Sequence, residues 1–315
     1  MCEQNRTMVM ELVLLGFRNI HPLKNFIFVL FLILYLTALI GNSLIIGVIA
    51  TSPRLNSPMY FFLGNLSFCE ILFTTIIMPN MLHVLKGSGG LMSFYGCIAQ
   101  FYLGASTGCT ECLLLTVMAY DRYLAICNPL RYSTIMNGKM QNHLALWSWL
   151  SGFIVMIITT VSICNLQFCG FNTIDHLFCD LAPLIQLSSS DTFLVQTETI
   201  LITIAFSLFP FVLIIVSYVS IFITILKIST KTGRQKTFST CSSHLASVCT
   251  YFGTIFIIYL VPSQQYSVTL NKVLSLLYTI GTPLLNPIIY TLRNREMKSC
   301  LKSYLRSKAS MSNMK

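Results

Sequence analysis

A stretch in the middle of the chain reads Met118-Ala119-Tyr120-Asp121-Arg122-Tyr123-Leu124-Ala125-Ile126-Cys127 and ends a long apolar run that begins near Cys97. At about 1.5 Å per residue, a helix carries Arg122 roughly 37 Å along its axis, enough to cross about 30 Å of hydrocarbon. The stretch therefore predicts a membrane-spanning helix that ends in an acid–base pair. Because ionisable groups at a membrane edge are costly, the pair is either a helix end whose arginine extends toward water or a functional site.

The composition is that of a membrane protein. Hydrophobic residues make up 55% of the 315 residues and charged residues only 10%, whereas soluble domains carry about 25% charged residues. The net charge of +10 raises the question of a nucleic-acid partner. The basic residues lie in the segments between apolar runs, however, so membrane lipid is the expected partner and nucleic acid is not.

Seven apolar runs are long enough to cross a bilayer. They lie at Phe26–Ala50, Met59–Leu82, Cys97–Ile126, His143–Ile163, Thr199–Leu226, His244–Val261 and Val273–Leu292. They predict an all-α membrane protein, a seven-transmembrane helix bundle over residues 26–292, with terminal segments at 1–25 and 293–315. In the second terminal segment, apolar and basic side chains fall on different helical faces, which predicts a short amphipathic helix on the inner leaflet.

The basic residues also predict the orientation. Most of the 20 lysines and arginines lie on one side of the bundle, and the exceptions are Arg6, Arg18, Lys24, Lys86 and Lys272. Positively charged segments stay in the cytoplasm, so the amino terminus is predicted to be extracellular and the carboxyl terminus cytoplasmic. The sequon at Asn5 then lies on the side where glycosylation occurs.

Three polar side chains are predicted to meet near the bilayer centre. Counted along their helices, Glu70, Glu111 and Asn286 lie about 20 Å below the outer surface. Unpaired carboxyl groups are expensive there. Glu70 and Glu111 are therefore expected either to bind a cation or to form a protonated, hydrogen-bonded pair.

The stretch around Arg122 resembles the odorant-receptor signature at the end of the third helix, a variant of the Asp-Arg-Tyr motif of rhodopsin-like receptors. Four further motifs resemble that family in its own order. They are Gly41-Asn42, Pro58-Met59-Tyr60-Phe61-Phe62-Leu63, Lys236-Thr237-Phe238-Ser239-Thr240-Cys241-Ser242-Ser243-His244-Leu245 and Pro283-Leu284-Leu285-Asn286-Pro287-Ile288-Ile289-Tyr290. The resemblance runs from about Leu12 to Lys298, nearly the whole chain.

This resemblance implies a vertebrate odorant receptor of the plasma membrane. Such a receptor binds a small, mainly hydrophobic volatile ligand within the bundle and activates a stimulatory heterotrimeric G protein, which raises cyclic AMP. It implies no cofactor and no enzymatic activity. The alternatives are a non-olfactory chemoreceptor of the same fold and a membrane transporter. Glu70 and Glu111 could serve a transporter as a proton relay, but the chain lacks the repeated halves that favour one.

The resemblance also implies individual roles. Asp121 would restrain Arg122 in the inactive state, and the residues implied in G-protein coupling are Asp121, Arg122, Tyr123, Tyr218, Asn286, Pro287 and Tyr290. The implied ligand pocket is lined by Gly104, Ala105, Gly108, Cys109, Thr203, Phe206, Phe252, Ile255, Phe256, Tyr259, Leu276 and Thr279. Gly104 and Gly108 could instead form a helix-packing step. The Tyr259 hydroxyl would face either the ligand or the lipid headgroups.

Among the 12 cysteines, the resemblance implies a disulfide between Cys97 and Cys179. The family's usual second loop bridge is in doubt, because Ser189 occupies the position of its cysteine. Cys169 is therefore expected to be either free or paired with Cys164.

Overall fold

The computed structural model describes residues 10–17, 23–87, 89–260 and 268–312, and most of them are helical. The helices are α1 (Lys24–Thr51), α2 (Pro58–Lys86), α3 (Phe94–Cys127), α4 (Pro129–Ile135), α5 (Gly138–Cys164), α6 (Leu181–Leu187), α7 (Phe193–Thr203), α8 (Phe209–Lys227), α9 (Lys231–Leu260), α10 (Val268–Leu276), α11 (Thr282–Arg293) and α12 (Arg295–Ser312). The strands are β1 (Glu11–Leu14), β2 (Gly90–Ser93) and β3 (Thr173–Ile174).

Six helical segments of the described chain are long and apolar enough to cross a membrane. They are α1, α2, α3, α5, the continuous segment Phe193–Lys227 and the segment Lys272–Thr291. The sixth predicted run lies on α9, which is 30 residues long but begins with a polar stretch. The predicted all-α bundle is therefore confirmed, with α9 as its remaining long helix.

Two π turns interrupt the helices just before prolines. Ile204–Leu208 joins α7 to α8 ahead of Pro210, and Leu277–Gly281 joins α10 to α11 ahead of Pro283. Proline has no amide hydrogen to donate, and a π turn inserts one extra residue into the helical register. Each π turn therefore changes the direction in which neighbouring side chains point.

The Gly41-Asn42 motif holds α1 against α11. A Cβ atom at Gly41 would lie 2.9 Å from Cβ of Pro287, so only glycine permits this approach. The adjacent Asn42 donates its side-chain amide to the carbonyl of Pro283 at 3.1 Å. The motif thus fixes the position of the helix that carries Asn286 and Tyr290.

A small sheet covers one end of the bundle, which we call the sheet end. β1 lies between the other two strands, antiparallel to β2 and parallel to β3. Leu12 and Leu14 are fully buried beneath it. Lys272 donates to a carboxylate oxygen of Asp175 and to the carbonyl of Gly16, both at 2.6 Å. The sequence predicted only a terminal segment here, because strands this short give no clear pattern.

The predicted disulfide between Cys97 and Cys179 is present, with an S–S distance of 2.03 Å. The expectation for Cys169 was wrong in both of its forms, because Cys169 is disulfide-bonded while Cys164 is free. Ser189 does lie beside Cys169, as expected. Its hydroxyl donates to the Cys169 carbonyl at 3.0 Å and accepts the Cys169 amide at 3.3 Å.

Replacing Cys97 or Cys179 by serine should reduce delivery of the protein to the cell surface, because loss of a native disulfide typically costs about 2–5 kcal/mol. The double variant should be no worse than either single variant, since one bond is lost in each case. Surface labelling of an epitope-tagged chain measures this, with Cys164→Ser as the matched control. Additive losses would show that the two cysteines act separately.

Candidate functional site

A cavity of about 220 Å³ lies inside the bundle toward the sheet end. Seven of the predicted pocket residues line it, namely Gly104, Ala105, Gly108, Cys109, Thr203, Phe206 and Ile255. The prediction failed for Phe252, Phe256, Leu276 and Thr279, which are not in the lining. The Tyr259 side chain lies outside the described residues.

The four misplaced residues have other partners. Phe211 of α8 packs against the rings of Phe252 and Phe256, with centroids 5.0 and 4.8 Å away. Thr279 is fully buried and donates to the carbonyl of Ser275 at 2.7 Å, and Leu276 packs in the cluster built around α2. Residues 252, 255 and 256 lie on one face of α9. Ile255 lines the cavity, whereas Phe252 and Phe256 pack against α8.

Gly104 and Gly108 widen the cavity and do not form a helix-packing step. Among the described residues, a Cβ atom at Gly104 would meet Ile77 alone, at 3.7 Å, and one at Gly108 the Tyr251 hydroxyl alone, at 4.0 Å. The close packing on α3 comes from Gly152 of α5. There a Cβ atom would lie 2.9 Å from the carbonyl oxygen of Ser106. No sequence pattern indicated Gly152, because an isolated glycine in an apolar run has no distinctive spacing.

Loop residues that the sequence did not predict close the cavity at the sheet end. The disulfide at Cys179 places Phe178, Asp180 and Leu181 in the lining. Asp180 accepts the Tyr278 hydroxyl at 3.0 Å, and the side-chain oxygen of Gln100 accepts the Cys179 amide at 3.0 Å. In the sequence, only the position of Cys179 could have indicated that this loop closes the cavity.

His176 joins this loop to α10. One ring nitrogen lies 3.2 Å from the Ser275 hydroxyl and the other 3.0 Å from the Phe178 carbonyl. Burial lowers the pKa of His176 below its usual value, so the neutral ring is favoured near pH 7.

The inner end of the cavity is bounded by Tyr251 of α9. Its hydroxyl donates to the Gly108 carbonyl at 2.8 Å and accepts from the Cys112 thiol at 3.3 Å. A side chain in the cavity wall thus ties α9 directly to the backbone of α3. The sequence did not mark Tyr251 as a site residue.

The predicted polar layer lies beside the cavity. Asn286 donates to one oxygen of Glu70, and both side chains are buried. Glu111 is also buried and lines the cavity, and its Oε1 atom has no hydrogen-bond partner in the part of the chain that the structure describes. Within the described residues, no three His, Cys, Asp or Glu side chains are grouped to hold a metal ion. The cation or the shared proton at Glu70 and Glu111 stays a prediction.

At the opposite end, Asp121 is held by a partner that the sequence did not indicate. It accepts the Tyr132 hydroxyl of α4 at 2.8 Å. No ion pair joins Asp121 to Arg122 in the described part of the chain, and Nη2 of the buried Arg122 has no partner. The direct restraint expected between them is therefore not observed. The Tyr132 hydroxyl donates a hydrogen bond to the Asp121 carboxylate instead.

Four other predicted coupling residues pack between helices. Tyr290 is fully buried, Pro287 lies against Gly41, and Tyr123 packs against the α8 residues Ile221 and Ile225. Tyr218 points to α9, where its hydroxyl lies 2.7 Å from Nδ1 of a buried histidine.

That histidine is His244, which the sequence placed in a motif without assigning it a role. Its Nε2 atom lies 3.1 Å from the Leu115 carbonyl. A carbonyl can only accept, so Nε2 carries the hydrogen and Nδ1 accepts from the Tyr218 hydroxyl in the neutral ring. His244 thus links α3, α8 and α9.

Known proteins resemble the chain over nearly all of its length. A family model described as "Olfactory receptor" matches residues 31–308. Human "Olfactory receptor 10A7" is 46% identical over 307 residues, covering 98% of this chain and 97% of that protein. Human "Olfactory receptor 10A3" is also 46% identical, covering 96% of each chain. Taken with the helical bundle and the position of the cavity, these matches show that the chain belongs to the olfactory receptor family of G-protein-coupled receptors.

Proposed function

We propose that this protein is an odorant receptor that binds small, mainly hydrophobic volatile molecules in the cavity and activates a stimulatory heterotrimeric G protein, raising cyclic AMP. The supporting observation is that α3 lines the cavity near one end and carries Arg122 at the other. The cavity lies inside the bundle and is lined mainly by apolar side chains, which suits such ligands.

Two hydrogen bonds supply a route between the cavity and Arg122. Tyr251 donates to Gly108 at 2.8 Å, and His244 donates to Leu115 at 3.1 Å. The two donors on α9 are seven residues apart, and so are the two acceptors on α3. Each interval is about two helical turns, or roughly 10 Å, so the bonds follow one seam between the helices.

In this proposal the seam between α3 and α9 has two states. In one state both hydrogen bonds are formed, and in the other α9 has moved away from α3. A ligand that displaces the Tyr251 hydroxyl from Gly108 weakens the seam at its cavity end, and α9 can then move away from α3. A G protein that binds beside Arg122 stabilises the same moved position of α9. Ligand and G protein therefore favour one state from two separate sites, which is the requirement for allosteric coupling.

The orientation in the plasma membrane follows from charge and supports the same proposal. The sheet end is extracellular, with residues 1–25 and a glycan at Asn5, which lies outside the described residues. Residues 26–292 form the receptor bundle, and residues 293–315 form the cytoplasmic tail. On α12, Met297 and Cys300 are buried while Lys298 and Lys302 are exposed, as expected for an amphipathic helix on an anionic inner leaflet.

Replacing Arg122 by alanine should abolish agonist-dependent cyclic AMP production while leaving surface density close to that of the wild type. The side chain is buried near the coupling end, and its Nη2 atom has no partner among the described residues. Its loss should therefore remove a G-protein contact at a small cost to the fold. Arg54→Ala is the control, because Arg54 is an exposed basic residue in the turn that follows α1. Full signalling by Arg122→Ala at equal surface density would contradict this role.

Replacing His244 by phenylalanine should raise cyclic AMP in the absence of any ligand. The change removes the hydrogen bond from His244 to α3, worth about 1 kcal/mol, which should shift the resting equilibrium toward the active state by roughly fivefold.

The matched control is Ser243→Ala, because Ser243 is the preceding residue on α9 and its buried hydroxyl has no partner among the residues that the structure describes. Basal and agonist-stimulated signalling should be compared at equal surface density. Unchanged basal signalling in the phenylalanine variant would remove His244 from the switch.

A further inference from the structure

The cysteines of the chain can be sorted by their bonding. The sequence has 12 cysteines. Cys97 and Cys179 are bonded to each other, and Cys169 is also disulfide-bonded. The free thiols are Cys69, Cys109, Cys112, Cys127, Cys164, Cys241, Cys249 and Cys300. The described residues hold no other cysteine, so the one cysteine of the sequence that is not yet assigned is Cys2, which lies outside them.

The neighbours of Cys169 in its own loop do not supply its sulfur partner. Ser189 occupies the position of the family's usual bridge cysteine. Its hydroxyl donates to the Cys169 carbonyl at 3.0 Å and accepts the Cys169 amide at 3.3 Å, but it has no sulfur to bond. Cys164 is exposed and free. The partner of Cys169 therefore comes from another part of the chain.

The small sheet brings the amino-terminal segment to this loop. β1 is parallel to β3, with Val13 opposite Thr173, and the Val13 amide donates to the Asn172 carbonyl at 2.8 Å. Because the strands are parallel, the chain before β1 and the chain before β3 leave the sheet at the same end. Cys169 lies in the chain before β3, only about 11 Å at most from Asn172.

The segment before β1 is long enough to reach Cys169. From Met10, the path through Val13 and Asn172 to Cys169 is at most about 28 Å. Eight residues lead from Met10 back to Cys2, and eight extended residues span about 26–29 Å. The Cα atoms of a disulfide lie about 4.4–6.8 Å apart, which adds to this reach.

We infer that Cys169 is joined to Cys2 by a disulfide, which ties the amino-terminal segment to the loop that closes the cavity. The S–S bond forms by exchange with the disulfide of an oxidoreductase in the secretory pathway. The S–S bond of that enzyme breaks, and its two sulfurs take up the electrons and protons of the two thiols. The inference requires the sheet end to be extracellular, as proposed above, but it requires neither ligand binding nor G-protein coupling.

This disulfide holds β1 in the sheet. β1 has only four residues, and a strand pair this short is marginally stable by itself. Leu12 and Leu14 of β1 are fully buried in the cluster that also contains Phe168 and Cys179. A covalent link beside β1 keeps these leucines packed on the loop, and it thereby keeps the loop over the cavity.

Peptide mapping without reduction tests the bond directly. Free thiols of the full-length receptor are blocked during lysis, the monomer band is taken from a non-reducing gel, and the glycan at Asn5 is removed. Cleavage after Arg6, Phe168 and Phe171 should release residues 1–6 joined to residues 169–171, and reduction should separate the two peptides. Blocked thiols at both cysteines would overturn the inference, and so would a Cys169 that is joined to Cys164 or to a second copy of the chain.

Surface labelling of an epitope-tagged chain tests what the bond does. Cys2→Ser and Cys169→Ser should reduce surface delivery by similar fractions, and the double variant should be no worse, because one bond is lost in each case. Cys164→Ser is the matched control and should be delivered like the wild type. Ser189→Cys should restore delivery to the Cys2→Ser variant, because position 189 lies directly against Cys169.

Two results of this labelling would contradict the inference. One is wild-type delivery of Cys2→Ser together with a loss in Cys169→Ser, and the other is losses that add in the double variant. Neither measurement uses a ligand. A receptor that yields the joined peptides but responds to no volatile compound would therefore contradict the proposed function alone.

Discussion

The seam between α3 and α9 is the contact on which the account of this receptor depends. Two side chains of α9, Tyr251 and His244, donate to backbone carbonyls of α3. Hydrogen bonds to water are unavailable inside a bilayer, so a side chain there stays paired or becomes costly. These two hydrogen bonds therefore hold α9 against α3 without a large interface. A bound group that replaces them would allow α9 to move away from α3. The cavity lies at one end of the seam and the buried Arg122 lies beyond the other.

The rest of the bundle keeps this seam in place. Gly41 and Asn42 hold α1 against α11, and Gly152 lets α5 pack closely against α3. At the sheet end, the Cys97–Cys179 bond fixes the loop to α3, and Lys272 ties the loop and the amino-terminal segment to α10. Since these contacts hold α3 and α10 at the sheet end, motion of α9 is expected mainly at the end near Arg122.

Much of the fold could be predicted because each membrane-spanning helix must be long and apolar enough to cross the bilayer. Both properties can be read from one segment of the sequence. The site was harder, because its geometry depends on partners from distant segments. Phe252 and Phe256 share a helical face with Ile255, yet Phe211 covers them. Asp121 bonds to Tyr132, which no spacing rule indicates. Ser207 enters the cavity from a π turn, a feature that hydrophobic periodicity does not reveal.

Movement of α9 on ligand binding is the central claim, and a distance measurement tests it most directly. Spin labels at Leu130 on α4 and Phe238 on α9, both exposed, can be introduced after the exposed thiols of Cys164 and Cys249 are replaced by serine. A saturating agonist should lengthen the distance between the labels, and Tyr251→Phe should lengthen it in part without ligand. An unchanged distance in a receptor that still signals would contradict the account.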